Sequence, residues 1–172
     1  MCIRDRLKAE GFPYLGFLYA GLMIEGDEIK VLEFNCRFGD PETQPIMLRL
    51  ESSLTNLCLD AINKKLNTHQ IEWSSMHSCG VVLASSGYPE DYETNIEIDI
   101  KNHFSENEKL FHAGTKFIDN KILTSGGRVF CMTALGETLE IAIDNAYNAI
   151  PKINFQGMFF RSDIGKKGLK ND

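Results

Sequence analysis

Val31-Leu32-Glu33-Phe34-Asn35-Cys36-Arg37-Phe38-Gly39-Asp40-Pro41-Glu42-Thr43-Gln44-Pro45 is the stretch on which the reading of this chain turns. Residues 31–35 alternate in the manner of a β-strand, where every second side chain leaves the same face. Glu33 and Asn35 therefore share a face, with α-carbons roughly 7 Å apart at about 3.3 Å per residue. A carboxylate and an amide oxygen so placed suit a hard cation such as Mg²⁺, which takes one or two protein oxygens and completes its shell with water and substrate phosphates. After the strand, Gly39 permits a positive φ and Pro41 fixes its own, so the chain can bend and keep Arg37, Asp40 and Glu42 near the pair. Arg37 offers a planar fork for a phosphate or carboxylate, and Asp40 with Glu42 can hold an amine. Residue types alone leave a second reading open: an edge strand followed by a solvated acidic turn, because a Glu-x-Asn pair is common by chance.

Working outward, residues 14–24 are apolar, contain Gly16 and Gly21, and read as a buried strand that a neighbour can approach closely. Glu25-Gly26-Asp27-Glu28 supplies a turn, so 14–24 and 29–35 form a β-hairpin. Upstream, residues 7–11 read as the last turn of a helix stopped by Gly11, and residues 1–6 have no assignable pattern. The start looks cut. Downstream, a short helix over 45–50 precedes a longer one over 52–66, with Leu54, Leu57, Cys58, Ala61, Ile62 and Leu66 on one face as core support. Residues 67–75 are polar, include the single Trp73, and read as a linker.

Beyond the linker the pattern becomes β-rich. Strands are expected over 79–85, 110–118, 121–125 and 128–135, with Asp119-Asn120 and Gly126-Gly127 as tight turns. Thr138 is the expected N-cap of a helix over 139–150 that Pro151 ends. Residues 155–164 return to the core, and 166–172 read as a disordered tail. The lone His112 fits a structural role. Arg161 and Asp163 fit a salt bridge holding the closing segment, and a ligand role for them stays open.

Composition bounds the class. The 172 residues, 43% hydrophobic and 24% charged, describe a globular chain of one ordinary domain or two small units. A net charge of −6 without a basic block argues against nucleic acid, and no apolar run approaches a membrane span. Five cysteines, none in C-x-x-C spacing, indicate neither a disulfide framework nor a zinc site and fit a reducing cytoplasm.

The run Arg37 to Pro45, preceded by Glu33-Phe34-Asn35, resembles the signature of the glycinamide ribonucleotide synthetases, also called phosphoribosylamine-glycine ligases, which are ATP-grasp enzymes. Gly80-Val81-Val82, Ser86-Gly87-Tyr88-Pro89, Phe111-His112-Ala113-Gly114-Thr115, Gly126-Gly127-Arg128-Val129 and Arg161-Ser162-Asp163-Ile164-Gly165 extend the likeness in the family's order. The resemblance implies an α+β fold. Residues 11–70 would be the C-terminal part of an ATP-grasp domain, a hairpin plus helices. Residues 71–165 would be a small barrel-sandwich-like domain with a helix, leaving 1–10 unplaced.

For chemistry, the resemblance implies ATP-dependent joining of glycine to 5-phosphoribosylamine through glycyl phosphate, giving glycinamide ribonucleotide, ADP and phosphate in purine synthesis. Glu33 and Asn35 would hold Mg²⁺ or Mn²⁺ and the nucleotide. Arg37 and Asp40 would be the catalytic residues, and Arg37, Asp40, Pro41 and Glu42 would bind substrate. The glycine loop and nucleotide-holding lysines of the family are absent from the 172 residues, so the expected partner is an N-terminal part of the same enzyme, without which this chain is inactive. Another ATP-grasp ligase would lack the Gly-Asp-Pro-Glu loop. A biotinyl or lipoyl carrier module would need a lysine at a hairpin tip, which Thr124-Ser125-Gly126-Gly127 does not supply.

Overall fold

The computed structural model describes residues 3–66, 71–101 and 103–170. Cys2, residues 67–70 of the expected linker, and residues 171–172 of the expected tail lie outside these. The chain is α+β, and contacts divide it into two compact units: Met1–Asp40 with Leu50–Glu72, and Pro41–Arg49 with Trp73–Asp172.

The first unit opens with α1 (Ile3–Ala9). It stops in a left-handed Gly11 (φ +86), with Phe12 N–H donating to Leu7 C=O and Gly11 N–H to Lys8 C=O, the paired bonds of a Schellman end. Strands β1 (Tyr19–Glu25) and β2 (Glu28–Asn35) form an antiparallel hairpin. Gly26 occupies the first central position of its two-residue turn at φ +59, the pattern of a type II′ turn. The buried strand expected over 14–24 is corrected in two respects: pairing starts only at Tyr19, and within β1 only Gly21 is buried. The cause is visible in the register. Ala20, Leu22 and Ile24 pair with Phe34, Val31 and Ile29 on one apolar face, while Tyr19, Gly21 and Met23 pair with Asn35, Glu33 and Lys30 on the other. The hairpin is thus amphipathic, and among the described residues its apolar face stays exposed.

Helix α3 (Leu54–Ile62) is capped by Ser53, whose side chain accepts from Asn56 N–H. It is shorter than expected because Lys64 turns left-handed at φ 58 and ends it. Its apolar face is the expected one, but it lines an open groove of about 380 Å³ with Leu15 and Phe17. None of its residues is buried, so it is not core support within this chain.

The second unit holds the core. Strands β3 (His77–Ser85), β5 (Glu108–His112), β8 (Arg128–Gly136) and β10 (Met158–Phe159) form an antiparallel sheet in the order β10-β3-β8-β5. Cys79, Val81 and Leu83 pair with Ala134, Met132 and Phe130, and this face packs against Ala142, Ile143, Ala146 and Ala149 of α4 (Leu139–Ala149). Thr138 caps α4 by accepting from Ile141 N–H at 3.2 Å, as its residue type leads one to expect. The opposite face carries Gly80, Val82 and Ala84. There α2 (Thr43–Arg49) docks, with Ser78 Oγ donating to Pro45 C=O at 3.0 Å. A β-carbon on Gly80 would lie 2.8 Å from the Pro45 ring, so only glycine lets the helix come this close.

Two small ribbons complete the unit: β4 (Asp99–Ile100) with β9 (Ile153–Asn154), and β6 (Thr115–Ile118) with β7 (Lys121–Thr124). Asp119 and Asn120, both at positive φ, make the β6-β7 turn, as the sequence predicts. The single strand expected over 110–118 is two, β5 and β6, in different sheets. Gly126-Gly127 is not a hairpin turn, because β7 and β8 do not pair. It is a crossing point: a β-carbon on Gly114 would sit 2.7 Å from Gly126 Cα and 2.7 Å from Arg128 O. The tail expected to be disordered instead forms a 3-10 turn at Gly168–Lys170, close to Leu139 of α4.

Candidate active site

Strand register decides where Glu33 and Asn35 go. Glu33 lies opposite Gly21 and Asn35 opposite Tyr19, so all four occupy the polar face of the hairpin. A β-carbon on Gly21 would meet Glu33 Cγ at 3.0 Å. The missing side chain is what gives the Glu33 stem room to lie across β1. The register slips between Gly21 and Leu22, leaving Leu32 as the extra residue on β2. Such a bulge twists a strand and re-aims the side chain beside it, here Glu33.

Glu33 is exposed and Asn35 half-buried. The Asn35 amide nitrogen is buried without a hydrogen-bond partner among the described residues. An unsatisfied buried N–H is costly, but as a donor it suits an acceptor oxygen and not a cation, so a metal contact from Asn35 would have to come from its Oδ1. The donor set, one carboxylate and one amide, is of the oxygen type a hard divalent cation takes, and the residues fit such an ion. Among the described residues no group of three or more His, Cys, Asp or Glu forms a closed cage. Any cation here would depend on water or substrate oxygens for most of its shell.

The loop after β2 is fixed by its aromatic residue. Phe38 stacks on Phe17 with ring centroids 4.0 Å apart and planes tilted by 31°. Arg37 Nη1 donates to Phe38 C=O at 2.8 Å, which folds the guanidinium back over its own loop. Left-handed glycines occur at six other positions, and Gly39 is not one of them; it is distinguished by being buried. Asp40 is exposed and closes the first unit, while half-buried Pro41 and exposed Glu42 open the second. Glu42 C=O accepts from Ile46 N–H at 3.3 Å at the start of α2. Further along, Gln44 Oε1 and Arg49 Nε are buried without partners among the described residues. Nothing in the sequence pattern had singled them out.

His112 is a structural residue in its contacts. Its Nδ1 lies 3.0 Å from Thr115 Oγ1, its ring meets Phe130 edge-on at 4.9 Å, and burial lowers its pKa. Arg161 makes the expected pair with Asp163, through Nε to Oδ1 at 2.9 Å and Nη2 to Oδ2 at 2.6 Å. Hydrogen bonding to Arg161 holds the Asp163 carboxyl below its ordinary value. Sequence reasoning gave Gly21 only a close approach within its strand and Arg128 only a place in a motif, with no part in a site for either. The signal for Gly21 was its place opposite Glu33 once the hairpin turn is fixed. For Arg128 it was the basic residue following two glycines.

Residues 78–167 match the family model described as phosphoribosylglycinamide synthetase, C domain, and residues 2–43 that of phosphoribosylglycinamide synthetase, ATP-grasp (A) domain. The phosphoribosylamine–glycine ligase of Vibrio vulnificus (strain CMCP6) is 50% identical over 168 residues, and that of Allochromatium vinosum 49% over 168. Each comparison covers 96% of this chain and 39% of the relative. The crystal structure of the phosphoribosylamine–glycine ligase from Thermotoga maritima superposes with a TM-score of 0.79 at 36% identity, covering 91% of this chain and 39% of that one. This chain therefore spans about two fifths of the length of the curated relatives it matches. With half of its residues under the C-domain model and a solved relative of the same kind, the chain belongs to the phosphoribosylglycinamide synthetase family.

Proposed function

We propose that this chain is the C-terminal portion of a phosphoribosylamine–glycine ligase. Its first unit would be the end of an ATP-grasp domain and its second the barrel-sandwich-like domain that helps close the active site. The observation that carries the reading is the polar face of the hairpin, where Glu33 across Gly21 and Asn35 across Tyr19 lead directly into Arg37-Phe38-Gly39-Asp40-Pro41-Glu42.

In this reaction the γ-phosphoryl group of ATP passes to the glycine carboxylate, and the amine of 5-phosphoribosylamine attacks the resulting acyl phosphate. Phosphoryl transfer demands charge neutralisation and alignment more than acid-base chemistry. Glu33 and Asn35 would hold Mg²⁺ or Mn²⁺, which when bound neutralises and orients the phosphate oxygens. Arg37 would steady the transferring phosphoryl group or the glycine carboxylate through its planar fork. Asp40 and Glu42 would hold the incoming amine, and Pro41 would fix the bend between them. The groups that grip the rest of the nucleotide would come from an N-terminal part of the same enzyme, so the chain alone turns over no substrate. The reaction would run in a reducing cytoplasm, which the unpaired spacing of the cysteines suits. Among the described residues no helix is long and apolar enough to cross a membrane.

The test is a chimera in which these residues replace the matched segment of the Vibrio vulnificus ligase. Glycinamide ribonucleotide should form, and Glu33→Gln should lower kcat by about a hundredfold or more, the order seen when one group facing developing charge is removed. Near-normal turnover by that variant would remove Glu33 from the metal role. Turnover by the 172-residue chain alone would refute its incompleteness.

A further inference from the structure

The second unit contains two clefts of opposite character on either side of the Ser86-Gly87-Tyr88-Pro89 turn. One, of about 540 Å³, is lined by Asp91 and Glu93 with backbone and serine groups and no basic residue. The other, of about 310 Å³, has Gly80, Val82 and Ala84 as its floor and both Arg128 and Arg161 in its lining. In a protein of net charge −6 a small anion must be drawn by local groups, and only the second cleft offers them.

The second cleft is built by the sheet. Phe159, Ala84 and Arg128 pair across β10, β3 and β8, a row about 10 Å wide at about 4.8 Å per strand. The small Ala84 lies between a large aromatic ring and a guanidinium, which leaves a trough. The register skips Val129 beside this row, and such a bulge re-aims the neighbouring side chain. On the other side, Tyr147 Oη donates to Arg161 C=O at 2.7 Å and accepts from Ile164 N–H at 3.1 Å. These bonds fix the backbone beneath an exposed Arg161. Asp163 holds its guanidinium by Nε and Nη2, so the Nη1 edge is turned away from the carboxylate. Pro41, which follows Asp40 in the chain, lines the same cleft.

We infer that this cleft is the subsite for the 5-phosphate and pentose ring of the phosphoribosyl substrate, with Arg128 and Arg161 on the phosphate and Tyr88 and Phe159 against the sugar. The inference rests on the ligase reading and deepens it. Guanidinium groups are the side chains best matched to a phosphate monoester, and Arg161 would offer the Nη1 edge that Asp163 does not hold. The apolar trough suits the carbon face of a furanose. The volume lies at the lower end of ligand clefts, about 300–1,000 Å³, which fits a single pentose phosphate better than a whole nucleotide.

The test is a titration of the isotope-labelled 172-residue chain with D-ribose 5-phosphate, read by amide shifts. Saturable shifts are expected at Gly80, Val82, Ala84 and Ile164, with no response to ribose. Arg128→Met and, separately, the exposed Arg161→Met should each weaken binding about tenfold, with Arg128→Lys intermediate. Shifts centred on Asp91 and Glu93 instead, equal binding of AMP, or no saturable shift would overturn the inference. In the chimera, Arg128→Met should raise KM for phosphoribosylamine about tenfold and leave KM for ATP unchanged. If the chimera is active and that KM does not move, the subsite assignment falls alone. If ribose 5-phosphate binds as described and the chimera makes no product, the ligase reading falls and the sugar-phosphate site stands.

Discussion

The two units of this chain are built from comparable proportions of apolar residues and bury them very differently. In the second, every member of the core, from Cys79 to Phe155, is nearly inaccessible. In the first, Leu22, Ile24, Ile29, Val31 and Phe34, all on one face of the hairpin, are 43% to 64% exposed. A continuous exposed apolar face of that kind marks a surface made to be covered. The difference teaches that the units answer to different requirements. The second closes its own core with sheet, helix and ribbons, whereas the first presents one polar and one apolar face and finishes neither within these residues.

The most forceful way to break this comparison is to cut into both units equally. Phe130→Ala removes a side chain that is 1% exposed, and should cost the second unit about 3–5 kcal/mol. Ile24→Ser changes a side chain already 64% exposed, and should stay within about 0.5 kcal/mol. Urea midpoints of the two variants decide it; equal losses would mean that the hairpin is packed as tightly as the sheet. Glycines give a smaller contrast. Gly114→Ala places a β-carbon 2.7 Å from two backbone atoms, with an expected cost of about 2–3 kcal/mol. Gly26→Ala meets nothing within 4 Å but keeps φ at +59, a conformational cost of about 1–2 kcal/mol. The two should converge if the crossing at Gly114 can relax.

Cysteines sharpen the same contrast chemically. Burial, and then the neighbouring Cys131, pushes the Cys79 thiol up to about 11, and the thiolate is the reactive form. Cys36, at the end of β2, is exposed. With a maleimide near neutral pH, Cys36 should react at least about a hundredfold faster than Cys79, as read by mass spectrometry of the digested protein. Comparable rates in the folded state would show that the sheet opens readily.

How much of this was legible in the sequence depends on whether an element is decided locally. The Gly11 stop, the Gly26 and Asp119-Asn120 turns and the Thr138 cap are each set by a few residues, and each appears where its chemistry puts it. The shared face of Glu33 and Asn35 follows from strand period alone. What could not be read was decided by partners distant in the chain. The docking of Pro45 on Gly80 takes α2 into the second unit. The crossing at Gly114 and Gly126 splits one apolar run into two strands. The row Phe159-Ala84-Arg128 joins three segments that share no local pattern. Burial in the first unit was misread for a different reason: an apolar run reports what a chain needs covered, not that the cover lies in the same residues.

The finest test concerns an ion pair that the second unit partly buries. Lys152 Nζ donates to Glu108 Oε2 at 2.6 Å, with the carboxylate side chain 12% exposed and the lysine 31%. The contact ties β5 to the turn after α4, and Lys152 also lies 5.4 Å from the Phe104 ring. Burial alone would raise the Glu108 pKa, but the Lys152 bond and Ser105 N–H outweigh it and lower it from 4.5. A carboxyl depressed on folding contributes stability that is present above its unfolded value and lost as pH falls through the lowered folded one. As pH falls through and below the ordinary glutamate value of about 4.5, the unfolding free energy of the second unit should therefore fall through this group. Glu108→Gln should flatten that part of the profile and lower stability at neutral pH. The hairpin's Lys30–Glu28 pair joins two exposed side chains 3.6 Å apart, and Glu28→Gln should leave the urea midpoint at neutral pH unchanged. A loss there equal to that of Glu108→Gln would mean that burial is not what separates the two units electrostatically.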